Sequence, residues 1–339
     1  MDILFFLLFL LCGIALIVGL INPKIVIRWG SPSNRNRKNV LKIYVTGLIL
    51  LYIIFSSSID TLDNTEGFTE APNSSESNYV GTDNLKVHFI DVGQADSILI
   101  TAGSDAMLID AGENGDGDFV VDYIKSQGIS DLDYVIGTHP HEDHIGGLDD
   151  VINSFDVGKV LMPKQKSTTK TFEDVLLSIQ NKGLKVTNPK VGAKYNLGQA
   201  EWTLLAPSQE YEETNNSSMV IKLIFGNNSF MFTGDAEEKS EKEILKTGNL
   251  NSDLLKVGHH GSKSSTSIDF LKEVGPTYAV ISVGTDNRYG HPDKEIIERL
   301  IEQNVEILRT DELGTIIFTS DGNDLKYETI KNLENVSDQ

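Results

Sequence analysis

Cysteine is nearly absent from this chain: Cys12 is the single example in 339 residues. One thiol excludes an internal disulfide framework and a cysteine-based zinc knuckle, so any metal chemistry must use other donors. A secreted domain built this way is ordinary in Gram-positive bacteria and less usual for an animal extracellular protein. Basic residues are also scarce, 29 Lys and Arg against 49 Asp and Glu, for a net charge of −20. The deficit is uneven. Residues 1–84 hold six basic and seven acidic residues, which leaves a net of −19 on residues 85–339. An acidic domain repels a polyanion at long range and disfavours extended non-specific nucleic-acid binding, although a short basic groove or bound divalent cations are compatible with it. No internal repeat is evident.

Long charge-poor apolar runs occur twice, both before residue 60. Residues 3–21, ILFFLLFLLCGIALIVGLI, carry no charge over nineteen residues, enough to span a bilayer core as a helix. Residues 40–59 form a second run, with Lys42 near its start where it can snorkel to the interface. The loop between them holds Lys24, Arg28, Arg35, Arg37 and Lys38 and no acid. The positive-inside rule puts that loop in the cytoplasm, both ends of the hairpin outside, and the C-terminal domain with them. Asp2 is the only early charge and no A-x-A site follows, which argues against a cleaved signal peptide. The expectation is a two-helix transmembrane anchor over 1–59, a disordered polar linker over 60–84 and a globular domain over 85–339. The protein is then a two-pass cell-membrane protein of a Gram-positive bacterium with an extracellular C-terminal domain.

Over that domain, strands are expected at 85–92, 97–101, 106–109, 134–137, 160–162, 201–205, 219–225, 229–233, 254–257, 279–283, 306–309 and 315–319. Helices are expected at 119–127, 172–182, 267–274 and 294–303. Gly226-Asn227-Asn228 reads as a hairpin turn. Strands interleaved with helices in both halves argue for two packed sheets with helices outside.

Histidine is rare as well, seven in the chain, yet three fall within six positions of Thr138-His139-Pro140-His141-Glu142-Asp143-His144-Ile145-Gly146-Gly147. Imidazole and carboxylate are first-choice ligands for zinc and similar ions. His139 and His141, two apart at a strand end, can point to one side, while Asp143 and His144 diverge toward a second ion. Gly146 and Gly147 let the next helix start close to the loop. Phe230-Met231-Phe232-Thr233-Gly234-Asp235 delivers a single carboxylate, whose two oxygens can bridge two cations. Leu254-Leu255-Lys256-Val257-Gly258-His259-His260-Gly261-Ser262 again ends a strand in histidines. His260 is favoured as the ligand and His259 as a partner facing substrate, donating a proton or a hydrogen bond. His88, in an alternating strand, reads as structural.

These stretches, with Asp91-Val92-Gly93-Gln94-Ala95-Asp96-Ser97 and Asp110-Ala111-Gly112, together resemble the metallo-β-lactamase superfamily. More narrowly they are similar to the hydrolase domain of the ComEC/Rec2 DNA-uptake proteins, and two later stretches add to that resemblance. These are Ser282-Val283-Gly284 with Asn287-Arg288-Tyr289-Gly290-His291-Pro292, and Arg309-Thr310-Asp311 with Gly314-Thr315-Ile316. The resemblance covers about residues 85–320. It implies an αββα four-layer sandwich, a metal-dependent hydrolase, and two divalent ions held by His139, His141, Asp143, His144, Asp235 and His260. The large channel domain of the uptake proteins is absent, which argues against a transport role.

Many superfamily members supply a further histidine between the first loop and the bridging aspartate. Residues 145–234 contain none, and Asn215-Asn216-Ser217-Ser218 stands in its place. A first metal site of His139, His141 and Asp235 with water or an amide oxygen is poorer in nitrogen, which makes Mn2+ a competitor to Zn2+. Such a centre sharpens water into a nucleophile. Asp143 is expected to orient a metal and accept a proton, with His259 or His291 protonating the leaving group. Asn216, Ser262, Asn287 and Arg288 are the candidate substrate contacts, Arg288 as a bidentate phosphate ligand, with Lys263 a lesser one. The favoured substrate is a phosphodiester, in a nucleic acid, a nucleotide or an envelope polymer. Carboxyl-ester, lactone or β-lactam hydrolysis, and a metal-containing binding module without turnover, are the alternatives.

Overall fold

In the computed structural model the chain divides into two compact units, Met1–Ser75 and Glu76–Gln339. The structure describes residues 84–331 together with Ala15, Val18, Leu20, Asn22, Val40 and Tyr44. Of these six, all but Asn22 are helical. The rest of both expected spans, and the expected linker up to residue 83, lie outside the described residues. Among the described residues no helix is long and apolar enough to cross a membrane.

The described residues of the second unit form fifteen strands: β1 Leu85–Phe89, β2 Ser97–Ala102, β3 Asp105–Ala111, β4 Asp131–Ile136, β5 Asp156–Leu161, β6 Val186–Thr187, β7 Lys194–Leu197, β8 Ala200–Ala206, β9 Val220–Phe225, β10 Asn228–Phe232, β11 Leu254–Lys256, β12 Tyr278–Ile281, β13 Glu306–Arg309, β14 Thr315–Ser320 and β15 Leu325–Ile330. They form two sheets, in the orders β15-β14-β1-β2-β3-β4-β5-β6 and β13-β12-β11-β10-β9-β8-β7. Each sheet has an antiparallel half and a parallel half. β3 to β6 run parallel in the first, and β10 to β13 in the second.

Side-chain alternation along the strands makes the layers. In β2 and β3, Ile98, Ile100, Met107 and Ile109 face the other sheet, while Leu99 and Leu108 face outward. In β10 to β12, Phe230, Phe232, Leu254 and Val280 face inward, and Met231, Leu255, Ala279 and Ile281 outward. The inner faces close a core around Trp202, Phe89 and Phe318. Each outer face is roofed by helices. Val120, Ile124, Val151 and Val175 of helices Gly117–Ser126, Leu148–Ser154 and Lys170–Asn181 cover the first sheet. Ile244, Phe270, Leu271 and Leu300 of helices Glu238–Ile244, Ile268–Val274 and Lys294–Glu302 cover the second. This is the expected αββα sandwich.

Three strands and one of these helices were not foreseen. β15 pairs with β14 through its backbone while its side chains are almost all exposed, so no alternation marks it. β6 and β7 are edge strands of two and four residues. Helix Glu238–Ile244 is EKSEKEI, and it buries Ser240 and Glu241 beside Ile244 in place of an apolar stripe. Helix Leu148–Ser154 starts directly after the two glycines, as expected, without a side-chain cap. β1 stops at Phe89 instead of residue 92, where the chain turns through Gly93 at φ 73°.

Candidate metal centre

Apart from Asp91–Ser97, which follows antiparallel β1, and Asn215–Ser218, which precedes antiparallel β9, the loops that carry the motifs leave the C-terminal ends of strands in the parallel halves. β3 ends at Asp110-Ala111, β4 runs into Thr138–His144, β10 into Thr233–Asp235, β11 into Gly258–His260 and β12 into Ser282–Gly284. Loops after parallel strands converge on one rim, where ligands bind in open α/β sheets.

Asp110 braces the first loop from behind. Its Oδ1 accepts from Thr138 N (2.8 Å), and its Oδ2 accepts from Thr138 Oγ1 (2.7 Å) and lies 2.8 Å from His144 Nδ1. The loop can then turn sharply only because Gly146 and Gly147 lack side chains. A Cβ at Gly146 would sit 2.2 Å from the Glu113 carbonyl carbon, and one at Gly147 2.5 Å from Ala111 O.

Asp235 is the hub of the site. His139 and His259 direct Nε2 at its Oδ2 (3.8 and 3.7 Å), and His144 and His260 direct Nε2 at its Oδ1 (3.2 and 3.8 Å). His141 brings Nδ1 to 3.0 Å from His139 Nε2, and Asp143 brings Oδ2 to 3.4 Å from His260 Nε2. One donor atom each from Asp143, His144, Asp235 and His260 lies within 4.8 Å of the others. His144 Nε2, His260 Nε2 and Asp235 Oδ1 are buried without a hydrogen-bond partner. Buried polar atoms are normally paired, so three that converge unpaired fit a cation.

The far sides of the His260 and His139 rings are held as well. His260 Nδ1 lies 2.9 Å from Ser282 O, and His139 Nδ1 3.2 Å from both Thr138 Oγ1 and Ser218 Oγ. Ser218 also accepts from Asp235 N (3.1 Å). Asp110, His259 and His260 all adopt positive φ (58°, 48° and 52°), a cost of about 1–3 kcal/mol each that the surrounding contacts must offset.

Burial and charge act together here. Burial, then the neighbouring His144, hold His139 well below its ordinary value. Burial also lowers His141. For His144 burial is outweighed by the Asp235 and Asp110 carboxylates, which raise it well above the usual range. For Asp235 burial is outweighed by His144 and His260, which hold it well below the carboxylate range. Asp143 moves the same way, burial yielding to the His260 imidazole 3.4 Å from its Oδ2.

A second acid-rich set, Asp96, Asp110 and His144, lies behind the first. Its cationic position is taken by Lys256, whose Nζ is 2.5 Å from Asp96 Oδ2, and Asp110 is spent on Thr138 and His144. This set supports the centre.

The sequence profile of the metallo-beta-lactamase superfamily matches residues 90–285. The chain belongs to that superfamily. Among its relatives, "ComE operon protein 3" of Bacillus subtilis is 32% identical over 251 residues, covering 68% of this chain and 32% of that one. "Recombination protein 2" of Haemophilus influenzae is 31% identical over 222 residues, covering 63% and 26%. The chain thus spans about a third or less of these relatives' length. A solved metallo-beta-lactamase fold protein of Bacillus subtilis, YhfI, aligns over 73% of this chain and all of its own with a TM-score of 0.47 at 16% identity. The superfamily's metal-dependent hydrolase fold therefore has sequence support across the whole rim just described.

The cleft above this superfamily centre has a volume of about 350 Å3 and is lined by Gln94, His141, Asp143, His259, Tyr289 and His291 among others. His291 lies beside His259, ring centroids 5.8 Å apart, and stacks on Tyr289. Arg288 is exposed at the rim, with its guanidinium 4.9 Å over the Tyr289 ring. Three of the expected substrate contacts are instead consumed by the scaffold. Asn216 is buried, donating to Glu237 Oε2 and accepting from Ser240 N. Asn287 donates to Gly284 O and His291 O and accepts from Tyr289 N and His291 N. Ser262 is buried in a turn with Ser264. Lys263 is exposed, its N–H held by Asp293.

The motifs quoted above contain Asn215, Ser218, Asp96, Lys256 and Tyr289 without giving any of them an individual role, and Glu237 lies outside them. The Asn215–Ser218 stretch works by neighbours: Asn215 reaches His259, and Ser218 holds His139 and Asp235. Glu237 lies two residues past the hub, a position at which a second-layer acid could have been sought. Nothing local marks Lys256, which reads as one more strand residue.

Proposed function

We propose that residues 85–339 form a metal-dependent phosphodiesterase with two divalent ions, Zn2+ or Mn2+. The observation that supports it most is the Asp235 carboxylate, each of whose oxygens faces two imidazoles. His139, His141 and Asp235 Oδ2 would hold one ion, and Asp143, His144, His260 and Asp235 Oδ1 the other. Such ions, when bound, lower the pKa of water toward neutrality and polarise a scissile oxygen.

The chain's own groups do the rest. Asp143 is the least buried of the second set, about three-tenths exposed, and faces the cleft, where it orients the attacking water and accepts its proton. His291 on the opposite wall donates to the leaving oxygen. Its Nδ1 has no hydrogen-bond partner, and Asn287 fixes the backbone on which it stands. Arg288, steadied by the Tyr289 hydroxyl 2.7 Å away, offers a guanidinium to a phosphate entering an otherwise acidic rim. That positive charge favours a phosphodiester over a lactone or carboxyl ester. The net charge favours a nucleotide, a short strand or an envelope polymer over long duplex DNA.

The reading extends to the N-terminus: the two apolar runs anchor the enzyme in the membrane with residues 85–339 outside. Two assays test it. The metal-loaded chain should hydrolyse bis-p-nitrophenyl phosphate and single-stranded DNA, and Asp143→Ala should abolish both while retaining the fold. Turnover of a lactone alone would overturn the substrate class, and metal binding without any turnover would leave only a binding module. Protease added to intact cells should release the C-terminal domain, and full protection would reverse the orientation.

A further inference from the structure

We propose that His259 is the third imidazole of the half-site on Asp235 Oδ2, and that Glu237 is its positioning residue. This rests on the two-metal reading above and completes its poorer half. The missing histidine of residues 145–234 is replaced from the other end of the domain.

The observation is a pattern repeated four times. His139, His144, His259 and His260 each present Nε2 to Asp235, two to each oxygen, and each has Nδ1 engaged on its far side. Metal-bound histidines are held in this way, the second nitrogen on a carboxylate or carbonyl that sets tautomer and ring direction. For His144 the holder is Asp110, and for His260 it is Ser282 O. For His259 it is Glu237, whose Oε1 lies 3.3 Å from Nδ1. Glu237 is in turn fixed by Asn216 Nδ2 (3.2 Å) and Ser264 Oγ (2.9 Å). Asn215 Nδ2 lies 3.3 and 3.4 Å from the two ring nitrogens, so an ion bound at Nε2 would displace this amide contact, and Ser264 Oγ shares Nδ1 at 3.3 Å.

The backbone agrees. His259 and His260 both have positive φ, and His259 N donates to Gly234 O (3.2 Å), which ties the turn to the loop that carries Asp235. Consecutive residues with ordinary helical or extended backbone would not send both rings to opposite oxygens of one carboxylate. A freely exchanging proton donor needs no such fixation. His291, beside it, makes no hydrogen bond at Nδ1, with Asp293 Oδ2 3.6 Å away.

The test is Co2+ binding to the metal-free full chain, read as equivalents retained after equilibrium dialysis and by visible absorption. The wild type should bind two equivalents. His259→Gln and His139→Gln should each keep one, with unchanged far-ultraviolet circular dichroism. Asp143→Asn should lose the other ion. Glu237→Gln should bind two, with the weaker site loosened by about 10–100-fold. His259→Cys should recover the second equivalent and gain sulfur-to-cobalt charge-transfer absorption over the wild type, a signature a merely nearby side chain cannot give. The proposal is overturned if His259→Gln binds two equivalents as tightly as the wild type while His139→Gln binds one, a result that leaves the hydrolase reading intact. Failure of the wild type to bind any Co2+ would overturn the two-metal reading itself.

Discussion

Lys256 and Asp96 form a fully buried ion pair directly behind His144 and His260, Nζ to Oδ2 at 2.5 Å. Asp96 Oδ1 is also 3.5 Å from His260 Nδ1. The pair places a fixed positive charge behind the cluster that is to receive cations. Breaking one side of a buried pair leaves an uncompensated charge, so Lys256→Met should cost about 3–5 kcal/mol. Lys256→Met with Asp96→Asn should recover most of that. Urea unfolding of the four proteins in a double-mutant cycle checks it, and additive losses would show the two groups to be uncoupled.

His291 is assigned to the leaving group, and its removal should discriminate between leaving groups. His291→Ala should lower turnover of a nucleotide diester by roughly 10²–10⁴-fold. Turnover of bis-p-nitrophenyl phosphate should suffer far less, since p-nitrophenolate departs without a proton. Bound metal, measured by elemental analysis, should not change. Equal losses on both substrates would remove His291 from that role.

His88 sits beneath helix Gly117–Ser126 with Nδ1 2.9 Å from the Tyr123 hydroxyl. Burial, then the neighbouring Lys86, lower its pKa from 6.5 to about 4. Between those values the unfolded chain takes up a proton that the folded chain refuses, so stability falls as pH drops through 6.5 toward 4. The contribution is full above pH 6.5, and the loss reaches about 3 kcal/mol near pH 4. His88→Gln does not titrate and should flatten that part of the curve. Denaturation midpoints for both proteins at pH 7, 5.5 and 4 measure the difference, and parallel curves would contradict it.

Gly146→Ala should be among the most damaging single-methyl changes in the domain. Its Cβ meets the Glu113–Asn114 backbone at 2.2 and 2.3 Å, which no rotamer change can relieve. The expected loss is at the top of the overpacking range, about 3 kcal/mol, with metal affinity falling as His144 is displaced. Gly115→Ala, in the loop after β3 that Gly146 abuts and with open space around it, is the control. Thermal denaturation of both variants should separate them by several degrees.

The αββα layering was legible because the strands are short apolar runs buried on both faces, as in Ile98-Leu99-Ile100 and Phe230-Met231-Phe232, and the helices between them carry their own periodicity. Elements stabilised by backbone pairing alone, β15 above all, left no such trace. The donor types of the centre were legible for a related reason. His139 to His144 occupy one short loop, and short loops at strand ends can be read as units. The partners of those donors were not, because Asp110, Asp96, Glu237 and Ser218 reach them from tens of residues away.

Taken by itself, the order of residues determined the layers, the loops and the kinds of ligand that would meet on one rim, since apolar runs and local spacing are properties of the covalent chain. Which of two neighbouring side chains faces the centre was decided only in three dimensions. Asn215 turns to His259 while Asn216 turns to Ser240, and His259 and His260 divide the two oxygens of Asp235 between them. Adjacent residues share every sequence signal. Their directions differ because backbone torsions such as the positive φ at both histidines are imposed by contacts across the fold, and no local pattern records those contacts.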